Sequence, residues 1–163
     1  MESNISRWVL YNVVVCFAVY WLSNLILWYP WSVNENLGQI LMLTINPLLW
    51  GFASYSCIKK YPGTNLFKGA FLNSLIFIAE AVISDLIFFA GIQKAADKLL
   101  QPTTFYGWGF VATVPFIIYF LFKNHIRKNR VSLVKRNFKM PLSIGLFSFA
   151  VITIIVMLNI HFH

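Results

Sequence analysis

Two carboxylates, Glu80 and Asp85, lie inside an otherwise apolar run over residues 69–90. Basic residues flank this run, with Lys68 just before it and Lys94 shortly after it. The run is long enough to cross a bilayer, which needs about 20 residues. A charge near the centre of a bilayer is expensive, and carboxylates there usually mark ion pathways, proton relays or paired contacts. These two residues are therefore the first candidates for chemistry in the chain.

Glu80 is predicted to lie near the middle of this spanning segment. At about 1.5 Å per residue, it is roughly 18 Å from Lys68 and roughly 21 Å from Lys94. Residues three, four or seven apart share one face of a helix, so Asn73 and Ser84 are expected on the same face as Glu80. This face is the first prediction for a proton, ion or substrate pathway.

Asp85 is predicted to point away from Glu80. It lies about 7 Å further along the helix and is rotated by about 140°, at about 100° per residue. The two carboxylates are therefore not expected to share a proton. We expect Asp85 either to reach water at the outer mouth of the protein or to pair with Lys94 or Lys98.

Two other apolar segments carry polar or kinking residues at a similar depth. Asn46 and Pro47 lie near the centre of the second segment. Thr113 and Pro115 lie near the centre of the fourth. A proline inside a helix leaves a carbonyl without its backbone partner. An interior cluster is therefore expected from these freed carbonyls and four side chains, those of Asn46, Glu80, Ser84 and Thr113.

The role of Glu80 has two interpretations. No membrane-embedded Lys or Arg is available to pair with it. A carboxyl that can gain and lose a proton at the midplane is what a proton-coupled transporter needs. Alternatively, a protonated Glu80 would hydrogen-bond Asn46 or a backbone carbonyl and hold helices together. Both interpretations stay open at this point.

The composition predicts a small membrane protein with a single domain over residues 1–163. The chain is 59% hydrophobic and only 11% charged, with a mean hydropathy of +0.70. Soluble domains carry about 25% charged residues. The chain has too few polar groups to cover a water-facing surface, so its surface is expected to face lipid.

Five apolar segments are predicted to span the membrane. Each is expected to be a helix, because lipid offers no partner to free backbone groups. Between the first two segments, turns are expected at residues 29–30 and 32–36. The third helix is expected to continue to about residue 100, because no breaker occurs before Pro102. The predicted helices are 8–28, 37–58, 66–92 with this extension, 105–122 and 142–160. The predicted fold class is an all-α bundle of five transmembrane helices.

The distribution of basic residues predicts the orientation. With the N-terminus in the cytoplasm, eleven of the thirteen Lys and Arg residues fall on the inner side, and only Lys94 and Lys98 fall outside. Cytoplasmic loops carry an excess of basic residues in membrane proteins. The C-terminus is therefore expected outside, in a multi-pass protein of a bacterial-type plasma membrane.

The loop between the fourth and fifth segments is strongly basic and contains no acidic residue. Its charges could attract anionic lipid headgroups, each with about 1 kcal/mol, or they could simply fix the topology. No nucleic-acid partner is expected, because no aromatic binding platform or motif accompanies the charge. The predicted lipid contacts are Lys123, Arg127, Lys128, Arg130, Lys135, Arg136 and Lys139.

Motifs for enzymes, metals and cofactors do not emerge. The sequence contains no HExxH, no GxSxG and no phosphate-binding glycine-rich loop. Cys16 and Cys57 form no CxxC pair and are expected to be packing residues. His161 and His163 lack further ligands nearby, so neither a metal site nor a cofactor is predicted.

Three function classes follow from these features. The leading hypothesis is a small transporter or channel component that uses Glu80 for proton or cation coupling. Five short helices enclose little space, so a pathway would need a homo-oligomer or a larger membrane complex. The rival is a structural or accessory subunit, with Glu80 as an interhelical polar contact. A third class is a lipid-modifying enzyme, with Glu80 or Asp85 as base.

Overall fold

The computed structural model describes residues 2–158, which are almost entirely helical and contain no strand. Its five long α-helices are α1 (Glu2–Val33), α2 (Glu35–Lys59), α3 (Leu66–Asp85), α4 (Pro102–Lys128) and α5 (Arg136–Met157). Each carries a stretch long and apolar enough to cross a membrane, with a mean hydropathy between 1.3 and 2.3. The predicted five apolar helices are therefore confirmed, whereas their orientation stays a prediction.

The boundary between α1 and α2 differs from the prediction. The break expected at residues 29–30 is wrong, because α1 continues through Pro30 and ends at Val33, whereas the turn expected over residues 32–36 is confirmed at Asn34. The side-chain oxygen of Asn34 then accepts hydrogen bonds from the backbone N–H groups of Asn36 and Leu37. The break therefore falls where a capping side chain satisfies the first free N–H groups of the next helix.

The predicted continuous third helix to residue 100 is also wrong. α3 passes directly into a π-helical segment, Leu86–Ile92, and the chain then turns at Lys94, whose φ is 54°. A residue in this left-handed region commonly ends a helix and is usually glycine, so the lysine gave no signal in the sequence. A separate 3-10 helix, Ala96–Leu100, leads to Pro102 at the start of α4.

α4 and α5 both extend beyond their predicted apolar segments into the basic loop. α4 ends with Arg127 and Lys128 in its last turn, where positive charge interacts favourably with the free carbonyls. α5 begins at Arg136, so Pro141 lies inside the helix rather than at its start. The last two residues of the predicted fifth segment, 159 and 160, lie outside the described residues.

α1 is the central helix of the bundle. It packs against α5, α2 and α3, while α4 packs against α2 and α3. Buried side chains such as Trp21, Phe77 and Ile152 fill the space between them. α5 lies close to α1 at Gly145, where a β-carbon would lie 2.5 Å from Cδ1 of Phe17. Small residues allow this kind of close contact between membrane helices.

The outward faces of the helices are apolar. Along α2, the side chains of Leu43, Leu48 and Phe52 are 72–76% exposed. A continuous apolar surface of this kind is unfavourable in water and suits a lipid environment. The five apolar helices and their outward faces indicate a multi-pass membrane protein.

Candidate functional site

Polar side chains recur at every fourth residue along the face of α1 that contacts α3. They share this face because residues four apart lie above one another on a helix. Each of them approaches a polar group of α3. We call this set of contacts the polar seam, which is formed by Asn12, Cys16 and Tyr20 of α1 and by Asn73, Glu80 and Asp85 of α3.

The first level of the polar seam is an amide pair. Nδ2 of Asn73 donates to Oδ1 of Asn12 over 2.6 Å, and Nδ2 of Asn12 donates to the carbonyl oxygen of Trp8 over 2.7 Å. Both asparagines are fully buried. Oδ1 of Asn73 is buried too and has no hydrogen-bond partner in the described part of the chain. The pair therefore joins α1 to α3 and leaves one acceptor free.

The second level contains Glu80. Its carboxyl lies beside the thiol of Cys16, and that thiol also lies 3.7 Å from the carbonyl oxygen of Phe77, to which it donates. The Glu80 side chain is half-buried, and its Oε2 atom is buried without a hydrogen-bond partner among residues 2–158. Leaving such a group unsatisfied costs about 1–3 kcal/mol. The carboxyl therefore keeps an oxygen that can accept a proton or coordinate a cation.

The third level contains Asp85, and both of its oxygens are occupied. The hydroxyl of Tyr20 donates to Oδ1 over 2.5 Å, and Nε1 of Trp108 donates to Oδ2 over 2.6 Å. These partners replace the expected Lys94 and Lys98. Because Tyr20 belongs to α1 and Trp108 to α4, Asp85 connects three helices.

The two carboxyl groups have separate surroundings. Among the described residues, Glu80 interacts with Cys16, whereas Asp85 interacts with Tyr20 and Trp108. Neither carboxyl is a partner of the other. Any chemistry at Glu80 therefore depends on the second level of the polar seam and not on a shared proton with Asp85.

The interior cluster expected around Glu80 does not form as predicted. Thr113 is exposed, and its hydroxyl donates to the carbonyl oxygen of Phe110 in its own helix over 3.0 Å, as threonine often does in helices. Oδ1 of Asn46 is buried without a partner among the described residues, so it makes no hydrogen bond to Glu80. Ser84 is buried at 3% exposure on the same helix as Glu80.

The two predicted kink residues lie in different environments. Pro47 is exposed on the outer face of α2, whereas Pro115 is fully buried within α4. Both lie inside unbroken α-helices. Only Pro115 therefore lies in the interior of the bundle.

Four residues of the site were not predicted from the sequence. The spacing of Asn12, Cys16 and Tyr20 was the available signal, because polar side chains four apart on an apolar helix indicate a polar face. Trp108 gave no signal, since its contact with Asp85 depends on how α4 is rotated against α3.

The predicted lipid-contact residues of the basic loop are all exposed: Lys123, Arg127, Lys128, Arg130, Lys135, Arg136 and Lys139. Arg130 differs from the other six because its guanidinium turns back to the carbonyl oxygens of Tyr61 and Gly63. His161 and His163 lie outside the described residues. Within residues 2–158, no three His, Cys, Asp or Glu side chains are close enough together to hold a metal ion.

Comparisons of the chain with protein-family models, with curated proteins and with solved structures found no match. The class of protein is therefore defined by the five apolar helices and the polar seam that they enclose.

Proposed function

We propose that the chain is a component of a membrane transporter or channel in which Glu80 takes up and releases a proton or coordinates a cation. The observation that carries this proposal is the buried, unpartnered Oε2 of Glu80 within the third apolar helix. Buried polar groups are normally satisfied, so an exception calls for an explanation. A transient proton or cation at this oxygen provides one.

The polar seam supports the proposal because it extends along the helix on both sides of Glu80. From Asn73 to Asp85 the rise is about 18 Å at about 1.5 Å per residue, against a hydrocarbon core of about 30 Å. Amide, thiol, carboxyl and phenol groups occupy successive levels over this distance. Proton relays in membranes are built from chains of ionisable side chains such as Asp and Glu, and the polar seam contains two of these.

The proposal also covers the assembly of the chain and its orientation in the membrane. Five helices enclose little space, so a second copy of the chain or a larger complex would complete the pathway. By the excess of basic residues at one end, we place that end in the cytoplasm and the C-terminus outside, in a plasma membrane of the bacterial type.

Proton flux into liposomes tests this proposal. The purified full chain is reconstituted with a pH-sensitive dye inside, and a potassium gradient with valinomycin makes the interior negative. We expect the interior to acidify faster than in empty liposomes, and Glu80→Gln to return the rate to that of empty liposomes. Uptake of Na⁺ under the same potential, followed with a Na⁺-sensitive dye, tests cation passage.

Asp97→Asn is the matched control, because Asp97 is an exposed carboxyl in the 3-10 helix and lies outside the polar seam. It removes the same charge and should leave the flux unchanged. Flux at the wild-type rate in Glu80→Gln, or no flux of any of these ions above empty liposomes, would overturn the proposal.

A second function, an accessory subunit of a larger membrane complex, is favoured by the amide pair. The contact between Asn12 and Asn73 is an interhelical hydrogen bond of the kind that holds membrane helices together. On this interpretation Glu80 is a further structural contact. Affinity purification of the tagged chain in mild detergent should then recover a stoichiometric partner, whereas a single monodisperse homo-oligomer would count against it.

A further inference from the structure

A pocket of about 390 Å³ lies where three separate chain segments meet at one end of the bundle. This end carries the turn between α2 and α3 and the loop between α4 and α5, and we call it the basic end. Pockets of about 300–1,000 Å³ are typical of small-ligand sites. The polar lining comprises Asn4 and Arg7 of α1, Lys60 and Tyr61 of the α2–α3 turn, and Arg130 and Ser132 of the loop after α4.

Contacts between these segments hold the walls of the pocket in place. Nη2 of Arg130 donates to the carbonyl oxygen of Tyr61 over 2.5 Å and also to that of Gly63. The ring of Tyr61 packs edge-on against Trp8, with centroids 4.9 Å apart. Nε1 of Trp8 donates in turn to the carbonyl oxygen of Cys57 over 2.8 Å. These contacts fix the three segments relative to one another before a ligand binds, which lowers the cost of ordering the pocket.

The charge of the pocket is strongly positive. Arg7, Lys60 and Arg130 line it, and no carboxylate does so among the residues whose side chains are described. Nζ of Lys60 lies 5.0 Å from the ring centroid of Tyr11 and 3.4 Å from the carbonyl oxygen of Ser56, to which it donates. These neutral neighbours provide no compensating negative charge.

Burial affects the charged state of Lys60. It lowers the pKa of the Lys60 ammonium, mainly because the charged form is removed from water. Among the smaller influences, Cys57 raises this pKa and the positive charge of Lys59 lowers it. An anion in the pocket would supply the charge that this environment lacks.

We propose that the pocket binds the phosphate group of an anionic ligand, with Arg7 and Lys60 as its charged contacts. A phosphate oxygen accepts strong, charge-assisted hydrogen bonds from guanidinium and ammonium groups. The amide of Asn4 and the hydroxyl of Ser132 add neutral donors to the same lining. The phosphate could belong to a lipid headgroup or to a soluble phosphomonoester.

This site differs from the lipid contact predicted from the sequence. Of the seven basic loop residues, only Arg130 lines the pocket. Arg7 and Lys60 come from distant parts of the chain and were not among the predicted contacts. The inference concerns a different part of the molecule from Glu80 and does not depend on the proposed transport function.

Native mass spectrometry of the purified full chain in an uncharged detergent tests the proposal with two probes. One arm is titrated with dioleoyl phosphatidylglycerol and the other with glycerol phosphate. We expect saturable binding of one ligand per chain in at least one arm. The double variant Arg7→Gln/Lys60→Gln should weaken that binding at least tenfold, because both charged contacts are lost.

The matched control is Lys68→Gln/Lys98→Gln, which removes the same charge at exposed positions that lie outside both the pocket and the predicted lipid contacts of the basic loop. Its affinity should stay within twofold of the wild type. Arg130 is left unchanged in both variants because it holds the pocket wall. Arg7→Gln alone, at an exposed position, is the second test if the double variant does not fold, and it should weaken binding at least threefold.

The two arms distinguish the sources of the phosphate. Binding of the lipid alone assigns a headgroup site, binding of glycerol phosphate alone assigns a phosphomonoester site, and binding of both assigns a site for the phosphate group itself. Absence of saturable binding in both arms would overturn the proposal. An equal loss of ligand affinity in the pocket variants and in the control would also overturn it, since this would show that overall charge attracts the ligand.

Discussion

The two carboxyl groups of α3 have different surroundings. Asp85 accepts hydrogen bonds at both oxygens, from the hydroxyl of Tyr20 and the indole of Trp108. Glu80 lies beside the thiol of Cys16 and keeps one buried oxygen without a partner among the described residues. Two satisfied oxygens stabilise the folded state, whereas an unsatisfied one costs free energy. Asp85 therefore holds helices together, whereas Glu80 keeps the free oxygen on which the proposed proton or cation binding depends.

This difference predicts opposite effects of leucine substitutions on stability. Glu80→Leu removes an unsatisfied group and should leave the melting temperature unchanged or raise it. Asp85→Leu leaves two donors without a partner, the hydroxyl of buried Tyr20 and the indole of half-buried Trp108. An unsatisfied buried donor costs about 1–3 kcal/mol, so the melting temperature should fall by about 4 °C or more. Thermal unfolding of both variants and the wild type in one detergent gives the three melting temperatures to be compared.

The comparison between the two variants is its own control, because each replaces a carboxylate of the same helix by leucine. A clear loss of stability in Glu80→Leu, similar to that in Asp85→Leu, would show that Glu80 is a structural contact. The accessory-subunit function would then be favoured over transport.

The polar seam was only partly predictable from the sequence. Glu80, Asp85 and Asn73 were found because polar side chains are conspicuous in an apolar run. Cys16 and Tyr20 are ordinary residues in membrane helices, so their types alone carried little information. Their role follows from the packing of α1 against α3, which determines which faces of the two helices meet. No short sequence pattern encodes how one helix is rotated about its axis relative to the other.

The helices themselves were more predictable than their ends. Their number follows from the length of the apolar runs, because each must satisfy its backbone internally in lipid. The end of the third helix was missed because Lys94 takes up a left-handed conformation that usually requires glycine. The end of α1 was placed at residue 28 rather than at Val33 because the helix tolerates Pro30, although the break at Asn34 lies within the turn predicted over residues 32–36.

The contact between α1 and α5 depends on the small residue Gly145, and a substitution at this position tests it. A β-carbon at Gly145 would lie 2.5 Å from Cδ1 of Phe17 and 3.1 Å from Cα of Ala18. The second distance is to the backbone, which cannot turn away as a side chain can. Gly145→Ala should therefore destabilise the protein by about 1–3 kcal/mol, as expected for overpacking.

Gly109→Ala provides the reference for this prediction. A β-carbon at Gly109 in α4 meets nothing within 4 Å, so this change should leave stability unchanged or raise it slightly through better helix propensity. Chemical unfolding of both variants in the same detergent gives the two free energies. If Gly145→Ala proved as stable as Gly109→Ala, the close approach of α5 to α1 would be contradicted.

α1 links the two candidate sites of the molecule. Arg7 lines the pocket at the basic end, and the amide pair at Asn12 begins the polar seam a little over one turn later. Trp8 lies between them, since it contacts Tyr61 of the pocket and accepts a hydrogen bond from Asn12 at its carbonyl oxygen. The pocket at the basic end and the polar seam are therefore neighbours along α1. The orientation of the chain determines which side of a membrane the pocket faces.

The distribution of charge predicts that orientation. Eleven of thirteen Lys and Arg residues belong to α1, the α2–α3 region and the α4–α5 region on one side of the predicted topology, and the excess of basic residues faces the cytoplasm in membrane proteins. Five apolar helices are an odd number, so the two ends of the chain should lie on opposite sides. The basic loop after α4 should then be cytoplasmic, and the end of α5 should be outside.

Reporter fusions in a bacterial host measure both positions. Alkaline phosphatase is active only outside the cytoplasm, and green fluorescent protein exported in unfolded form fluoresces only inside. We expect a fusion after Met157 to be active with phosphatase and dark with the fluorescent protein, and a fusion after Asn129 to show the reverse. The second fusion is the internal control, since only α5 separates the two positions. Equal behaviour of the two fusions would show that α5 does not cross the membrane, and reversal of both would show that the basic end faces outward against its charge.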